Sequence, residues 1–450
     1  MKWGRAVAAL AVVGATTGCD AWEEHATAQQ LAWADCAAEV QCATLTVPTD
    51  WQSPGGPTTK VNLARLPAAE RSLGSVVVNL GAGNGTNAML GQVPPSLREL
   101  ARHFDVVVFD PPGLGRADND TLVKCAQAPS VYGLVRDPSE AGWTAQKQAN
   151  AAYDASCRES AVYKHLTSWQ IANDLDALRS ALGENKLRYL GNSYGTSYGQ
   201  AYASHFGSRV ERMYLDGVAD HTQPDLTAWL TNHARTQEAQ LLRFRDWCAA
   251  SVSCALHGTD AAAVWDKLVA NGQAQVGMLI GLTPPRWPEL ASALAGGRFP
   301  VEPPPEPFGS VQPALLCHDF IPDVPDYQEF LAIEKRLREV APRVGWLAGR
   351  MQIGRCVGIS GDPSYAPRPI DARGLPPILV GIGDLDNNTP NLGAARVAEQ
   401  LPGARALWHG DGHAAYLLGN KCLAGHVQTY FIDGVLPPPG TRCPAELAPR

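Results

Sequence analysis

The sequence predicts an α/β fold built on a largely parallel sheet, and three observations predict it. Short β-type runs alternate with helical patterns along most of the chain. Several of those runs are nearly unbroken in Val, Ile and Leu, as strands covered on both faces by helices must be. A serine also stands in a glycine-framed turn between one such run and the helix expected after it.

The runs, in order, are 75–80 (SVVVNL), 105–109 (DVVVF), 186–190 (KLRYL), 212–215 (RMYL), 377–380 (PILV) and 404–408 (ARALW). Ahead of KLRYL, Ile171, Leu175, Leu178 and Leu182 recur at i, i+4, i+7 and i+11, giving one apolar face, while Asp174, Asp176, Arg179 and Ser180 point elsewhere. Thr167 and Gln170 have capping-box spacing, and Gly183 stops the pattern, so a helix is expected between them. Another is expected over 198–206. From about 220 to 370 the alternation breaks: 228–251, 261–271 and 327–340 read as helices, and 299–308 (FPVEPPPEPF) is proline-rich. That segment is expected to form a mostly helical lid over the carboxyl edge of the sheet. The expected organisation is a leader at 1–19, a core at 36–219, the lid at 220–370 and a second part of the core at 371–450.

Composition sets the bounds. Of 450 residues, 45% are hydrophobic and 18% charged, which supports a large buried core and excludes a mainly disordered chain. The formal net charge is −7 and no basic run stands out, so a nucleic-acid partner is not expected. The apolar run at 6–18, preceded by Lys2 and Arg5, is too short to span a bilayer and fits the core of an export signal. It ends in Thr16-Thr17-Gly18-Cys19, which resembles a bacterial lipobox without its usual leucine, making Cys19 a candidate for lipid attachment; the alternative is ordinary cleavage after Ala21. Eleven cysteines without a CxxC pattern agree with export. Setting Cys19 aside leaves ten, in close pairs: Cys36 with Cys42, Cys125 with Cys157, Cys248 with Cys254, Cys317 with Cys356, and Cys422 with Cys443. Neighbour pairing into five disulfides is the simplest choice, since spacing does not dictate connectivity.

The chemistry-bearing pattern is Gly191-Asn192-Ser193-Tyr194-Gly195, a G-x-S-x-G pentapeptide directly after KLRYL. A serine on a tight strand-to-helix turn is lifted above the sheet, and flanking glycines make room for the strained backbone. Ser193 is therefore the candidate nucleophile. Its hydroxyl needs an imidazole to take its proton and a carboxylate to hold that imidazole's tautomer. In the chain order Ser, Asp, His, the candidates are Asp386, after PILV, and His413, after ARALW. Asp384 and Asp216 are rival acids; His409 and His426 are rival bases. Backbone donors for an oxyanion are expected at Tyr194 and in Asn79-Leu80-Gly81-Ala82-Gly83-Asn84-Gly85, at Ala82 or Gly83. That loop lacks the endings that would make it a phosphate cradle. No metal or cofactor is required.

Taken together, these residues resemble the α/β-hydrolase family of secreted tripeptidyl aminopeptidases and related proline-iminopeptidase-like exopeptidases. The resemblance rests on CATLTVPTDW, SVVVNLGAGNG, DVVVFDPPGLGRAD, NDLDALRSALGENKLRYLGNSYGTSYG, RMYLDGVAD, the C-terminal D-x-x-T-P and G-x-G-H motifs, and FIDGVLPPPGTRC. It covers most of the chain and favours Asp386 over Asp384 through D-x-x-T-P. It implies an α/β-hydrolase fold, a TAP-like C-terminal segment and release of short peptides or residues from a free N-terminus. It also implies a lid carboxylate for the substrate's α-ammonium. Cys317-His318-Asp319 sits where relatives carry a C-x-D or C-x-E element, so Asp319 is the candidate. The glycine loop departs from the family's usual NPGGPGGSG, and FDPPGLGRA carries Pro112 and Ala117 where arginine and serine are usual. A carboxylesterase of the same triad and a non-catalytic surface binding protein of the same fold are the competing readings.

Overall fold

The structure, a computed structural model, describes residues 29–81, 85–114, 122–279, 284–297, 311–321, 323–360 and 364–447. The leader with Cys19, the loop residues Ala82 and Gly83, and the proline-rich run at 299–308 lie outside them.

In chain order the strands are β1 (Ala34–Ala37), β2 (Val40–Pro48), β3 (Thr58–Leu66), β4 (Ser75–Asn79), β5 (Asp105–Asp110), β6 (Leu187–Asn192), β7 (Val210–Asp216), β8 (Leu379–Gly383), β9 (Arg405–His409) and β10 (Arg442–Cys443). They form one sheet in the order β1-β2-β3-β5-β4-β6-β7-β8-β9-β10. β1, β2 and β3 pair antiparallel, as do β3 and β5. From β5 onward every pairing is parallel. This is the expected α/β class, and the six runs read from the sequence are β4 to β9. The antiparallel β1–β3 edge and the short β10 were not among them.

Burial explains the Val-rich strands. Val77, Val107, Tyr189, Leu215 and Val380 share one core with the helices Ser168–Ala181 and Tyr194–Phe206. Their strand neighbours Val76, Val106, Leu190, Tyr214 and Leu379 point the other way, into a core with Leu423, Val427 and Tyr430 of the helix Lys421–Asp433. A strand buried on both faces has no polar position to alternate with.

Helix Ser168–Ala181 begins as expected: the Thr167 hydroxyl accepts from the Gln170 amide at 3.3 Å. The reciprocal half of the capping box is not made, because the Gln170 side chain reaches instead to the Pro48 and Thr49 carbonyls and the Trp51 amide on the antiparallel edge. Between β7 and β8, the helices Leu226–Ala250, Ala261–Ala270, Trp287–Gly296, Gln312–Asp319, Tyr327–Val340 and Gly345–Cys356 pack around their own apolar centre, which includes Phe244, Trp265, Phe330 and Trp346. All five neighbour-paired disulfides are present. One of them, Cys317–Cys356, ties Gln312–Asp319 to Gly345–Cys356.

Candidate active site

Ser193 is the hinge between β6 and the helix Tyr194–Phe206, with φ 54° and ψ −119°. This left-handed conformation is costly for a residue with a side chain and is held by the surroundings. The Ser193 amide donates to the Asp216 carbonyl at 3.1 Å, and the Thr196 amide returns to the Ser193 carbonyl at 2.9 Å. The turn closes tightly enough that a Cβ on Gly195 would meet Asn79 Oδ1 at 2.8 Å. On the other side of Ser193, Gly81 (φ 101°) passes so close that a Cβ there would lie 2.9 Å from Ser193 Cβ. Among the described residues, the non-glycine positions with positive φ are Ser193, Leu385 and Ala414. Each is a member of the candidate triad or the immediate neighbour of one.

Asp386 follows β8 and His413 follows β9, so adjacent parallel strands deliver both side chains to the same edge. His413 Nδ1 lies 2.9 Å from Asp386 Oδ2. The acid is 1% exposed and well supplied with donors. The Asn388 and Thr389 amides donate to Oδ1 at 3.0 and 2.9 Å, and the Thr389 hydroxyl donates to Oδ2 at 2.7 Å while standing 3.1 Å from His413 Nδ1. Thr389 was not singled out as a site residue from sequence, although the D-x-x-T spacing carried the signal: an Asp side chain readily caps the amides two and three residues on. Ser193, Thr389 and His413 all line one cavity of about 520 Å³.

The rivals are engaged elsewhere. Asp384 is bound by Arg442 at 2.6 Å near the surface. Asp216 is fully buried, faces His409 Nε2 at 3.5 Å and accepts from the Tyr416 amide at 3.2 Å. His426 stands beside Cys422 and Cys443, but those two sulfurs are joined to each other, which removes the thiolate ligands a metal would need.

Asp319 requires a correction. It does not line the cavity; it is 1% exposed and accepts from the Ser168 hydroxyl at 2.5 Å and the Ser168 amide at 3.0 Å, capping the helix Ser168–Ala181. Burial pushes its pKa up to about 7, against the Ser168 donors. Leu316 and Phe320, one helical turn apart, take the cavity-facing positions. Of the expected oxyanion donors, Tyr194 lines the cavity at the head of its helix, where amides have no intrahelical acceptor. Ala82 and Gly83 fall outside the described residues, and the Gly81 amide is already bonded to Asn79 Oδ1 at 3.1 Å.

Burial alone would lower the pKa of the His413 ring. The Asp386 carboxylate, with a smaller contribution from Asp216, outweighs it and holds His413 above the ordinary histidine value. Burial likewise opposes ionisation of Asp386, but the charge of His413 and the Thr389 donors keep it below the usual carboxylate range. A base must be unprotonated to accept the serine proton, so kcat/KM for an uncharged substrate is expected to fall as pH drops through a midpoint above about 6.5. In Asp386→Asn, where the raising charge is gone, that midpoint should move down. A pH–rate profile of both proteins checks the sign.

A family described as TAP-like protein matches residues 343–443, the segment that carries both Asp386 and His413. Serine protease Hip1 of Mycobacterium tuberculosis is 28% identical, with 89% of this chain and 87% of the relative covered. Carboxylesterase B of the same organism is 30% identical, over 90% and 86%. Tripeptidyl aminopeptidase of Streptomyces lividans is 27% identical, over 93% and 87%.

Proposed function

This chain belongs to the α/β-hydrolase family that includes tripeptidyl aminopeptidase, serine protease Hip1 and carboxylesterase B, and on that premise we propose that it is a serine peptidase releasing short peptides or single residues from a free N-terminus. The observation that supports the reading is that a strained Ser193 and an Asp386-held His413 line one cavity. In the proposed cycle, the Ser193 hydroxyl attacks the peptide carbonyl as His413 takes its proton. The Tyr194 amide and the loop after β4, through Ala82 or Gly83, hold the oxyanion. His413 then passes the proton to the departing amine, and the acyl-enzyme is hydrolysed by water that His413 deprotonates in turn. Asp386 keeps the ring oriented and stabilises its charged form throughout.

The helical segment between β7 and β8 supplies Trp229, His233, Gln237, Leu316, Phe320 and Met351 to the cavity wall, which supports its role as a lid that selects substrates. The five disulfides support maturation in an oxidising compartment, with export through the leader and lipid on Cys19 as parts of the same proposal. Among the described residues no helix is long and apolar enough to cross a membrane.

A carboxylesterase is the second reading. It is favoured by carboxylesterase B and by the lining: among the described residues, the carboxylate at the wall, Asp220, is already bound by Arg396 at 3.1 Å and by Thr222, leaving none to receive an ammonium. Product mass spectrometry on N-terminally free and N-acetylated peptides, alongside p-nitrophenyl esters, separates the two. The peptidase predicts N-terminal fragments from the free peptides only. Turnover restricted to the esters would replace it with the esterase.

A further inference from the structure

Among the described residues, the charged groups at the cavity wall are internally matched with one exception. His413 is paired with Asp386, and Asp220 with Arg396. His233 is uncharged at neutral pH, because burial drives its pKa down to about 4. Arg355, near the end of the helix Gly345–Cys356, lines the same cavity, and its guanidinium makes no hydrogen bond or ion pair with any described residue. Its Nε is shielded from solvent and has no acceptor.

The residue is held in place from behind. Its carbonyl accepts from Asn150 Nδ2 at 3.4 Å, and the next residue is locked by the Cys317–Cys356 disulfide. The charge belongs to a residue that lines the same cavity as Ser193 and His413. It opposes the burial that pushes the phenol of Tyr194, the residue after the nucleophile, up to about 12, and it adds to the burial that lowers His233. A guanidinium that has lost water from one edge and gained no acceptor is under-satisfied, and a carboxylate offers the matching two-oxygen partner.

We propose that Arg355 is a specificity residue that receives a carboxylate of the substrate, so that the cavity selects peptides carrying an acidic group close to the bond attacked by Ser193. The inference rests on the hydrolase reading for its substrate class, and it is opposite in sign to an ammonium anchor. The carboxylate comes either from an Asp or Glu side chain or from the free C-terminus of a short peptide.

Peptide pairs differing only as Asp/Asn or Glu/Gln at each position, and as C-terminal acid against amide, distinguish the two sources. Equilibrium binding of these pairs to the Ser193→Ala protein reads the preference whether or not the enzyme turns them over. The acid member of at least one pair is expected to bind about 10- to 100-fold more tightly. In Ser193→Ala/Arg355→Gln that ratio should fall to about 1, and with Arg355→Lys part of it should return, with thermal midpoints reporting that each variant folds. Equal or weaker binding of the acid member at every position, or a preference that survives Arg355→Gln, overturns the proposal. Failure of the hydrolase reading shows separately, as absence of Ser193-dependent turnover in the otherwise unsubstituted protein.

Discussion

Ser193→Ala is expected to abolish turnover and labelling by a fluorophosphonate probe while leaving the thermal midpoint nearly unchanged. Removing the nucleophile of a serine–histidine–aspartate set costs roughly 10⁶-fold in kcat. Stability should not follow, because what holds residue 193 is its backbone: its amide on the Asp216 carbonyl and its carbonyl under the Thr196 amide. Both bonds survive the substitution. So does the Cβ against which Gly81 packs, and alanine meets the same strain at φ 54° as serine does. The same measurement tests the non-catalytic alternative. A folded natural protein that the probe leaves unlabelled would favour a binding module, and labelling that persists in Ser193→Ala would remove Ser193 from the mechanism.

The second large effect concerns the acid. Asp386→Asn is expected to lower kcat by about 10⁴-fold, since an amide facing His413 Nδ1 no longer fixes the tautomer or stabilises the imidazolium. Asp216→Asn should act differently. Asp216 faces His409 and the Tyr416 amide in the interior, so its loss is expected to lower the thermal midpoint while kcat stays within about tenfold of the parent. Paired kinetics and melting curves on the two variants decide between them. Near-normal rates in Asp386→Asn with collapse in Asp216→Asn would reverse the assignment of the acid.

Much of the architecture was legible in the sequence because it is written in local periods. Strands buried on both faces appear as unbroken Val and Leu, so β4 to β9 could be placed without the fold. The antiparallel edge was harder. In β2 the burial pattern is mixed, with Val40, Ala43, Leu45 and Val47 inside and polar residues between them, a weaker signal than a Val run. The capping box at Thr167 was half legible: the N-cap depends on neighbours in sequence, whereas the Gln170 side chain was claimed by a strand more than a hundred residues away.

Asp319 and Arg355 show the limit from the other side. Both lie in the helical segment between β7 and β8, where a pattern announces a helix but not which face meets the cavity. Asp319 matched a motif position, yet packing turned it onto Ser168. Arg355 carried no motif at all, and among the described residues its lack of a partner becomes visible only in the packed structure, where Asp220 of the same cavity wall is bound by Arg396.

By itself, then, the amino-acid sequence determined the α/β class, the positions of the core strands along the chain and the serine at its strand-to-helix turn, because each depends on spacing between residues close along the chain; neighbour pairing of the cysteines it left as the simplest choice. The tertiary structure alone decided which distant aspartate stands beside His413, which lid side chains enclose the cavity and what charge is left over inside it. Those outcomes depend on separations between residues more than two hundred positions apart along the chain, such as Ser193 and His413, and burial and electrostatics act through distance in space.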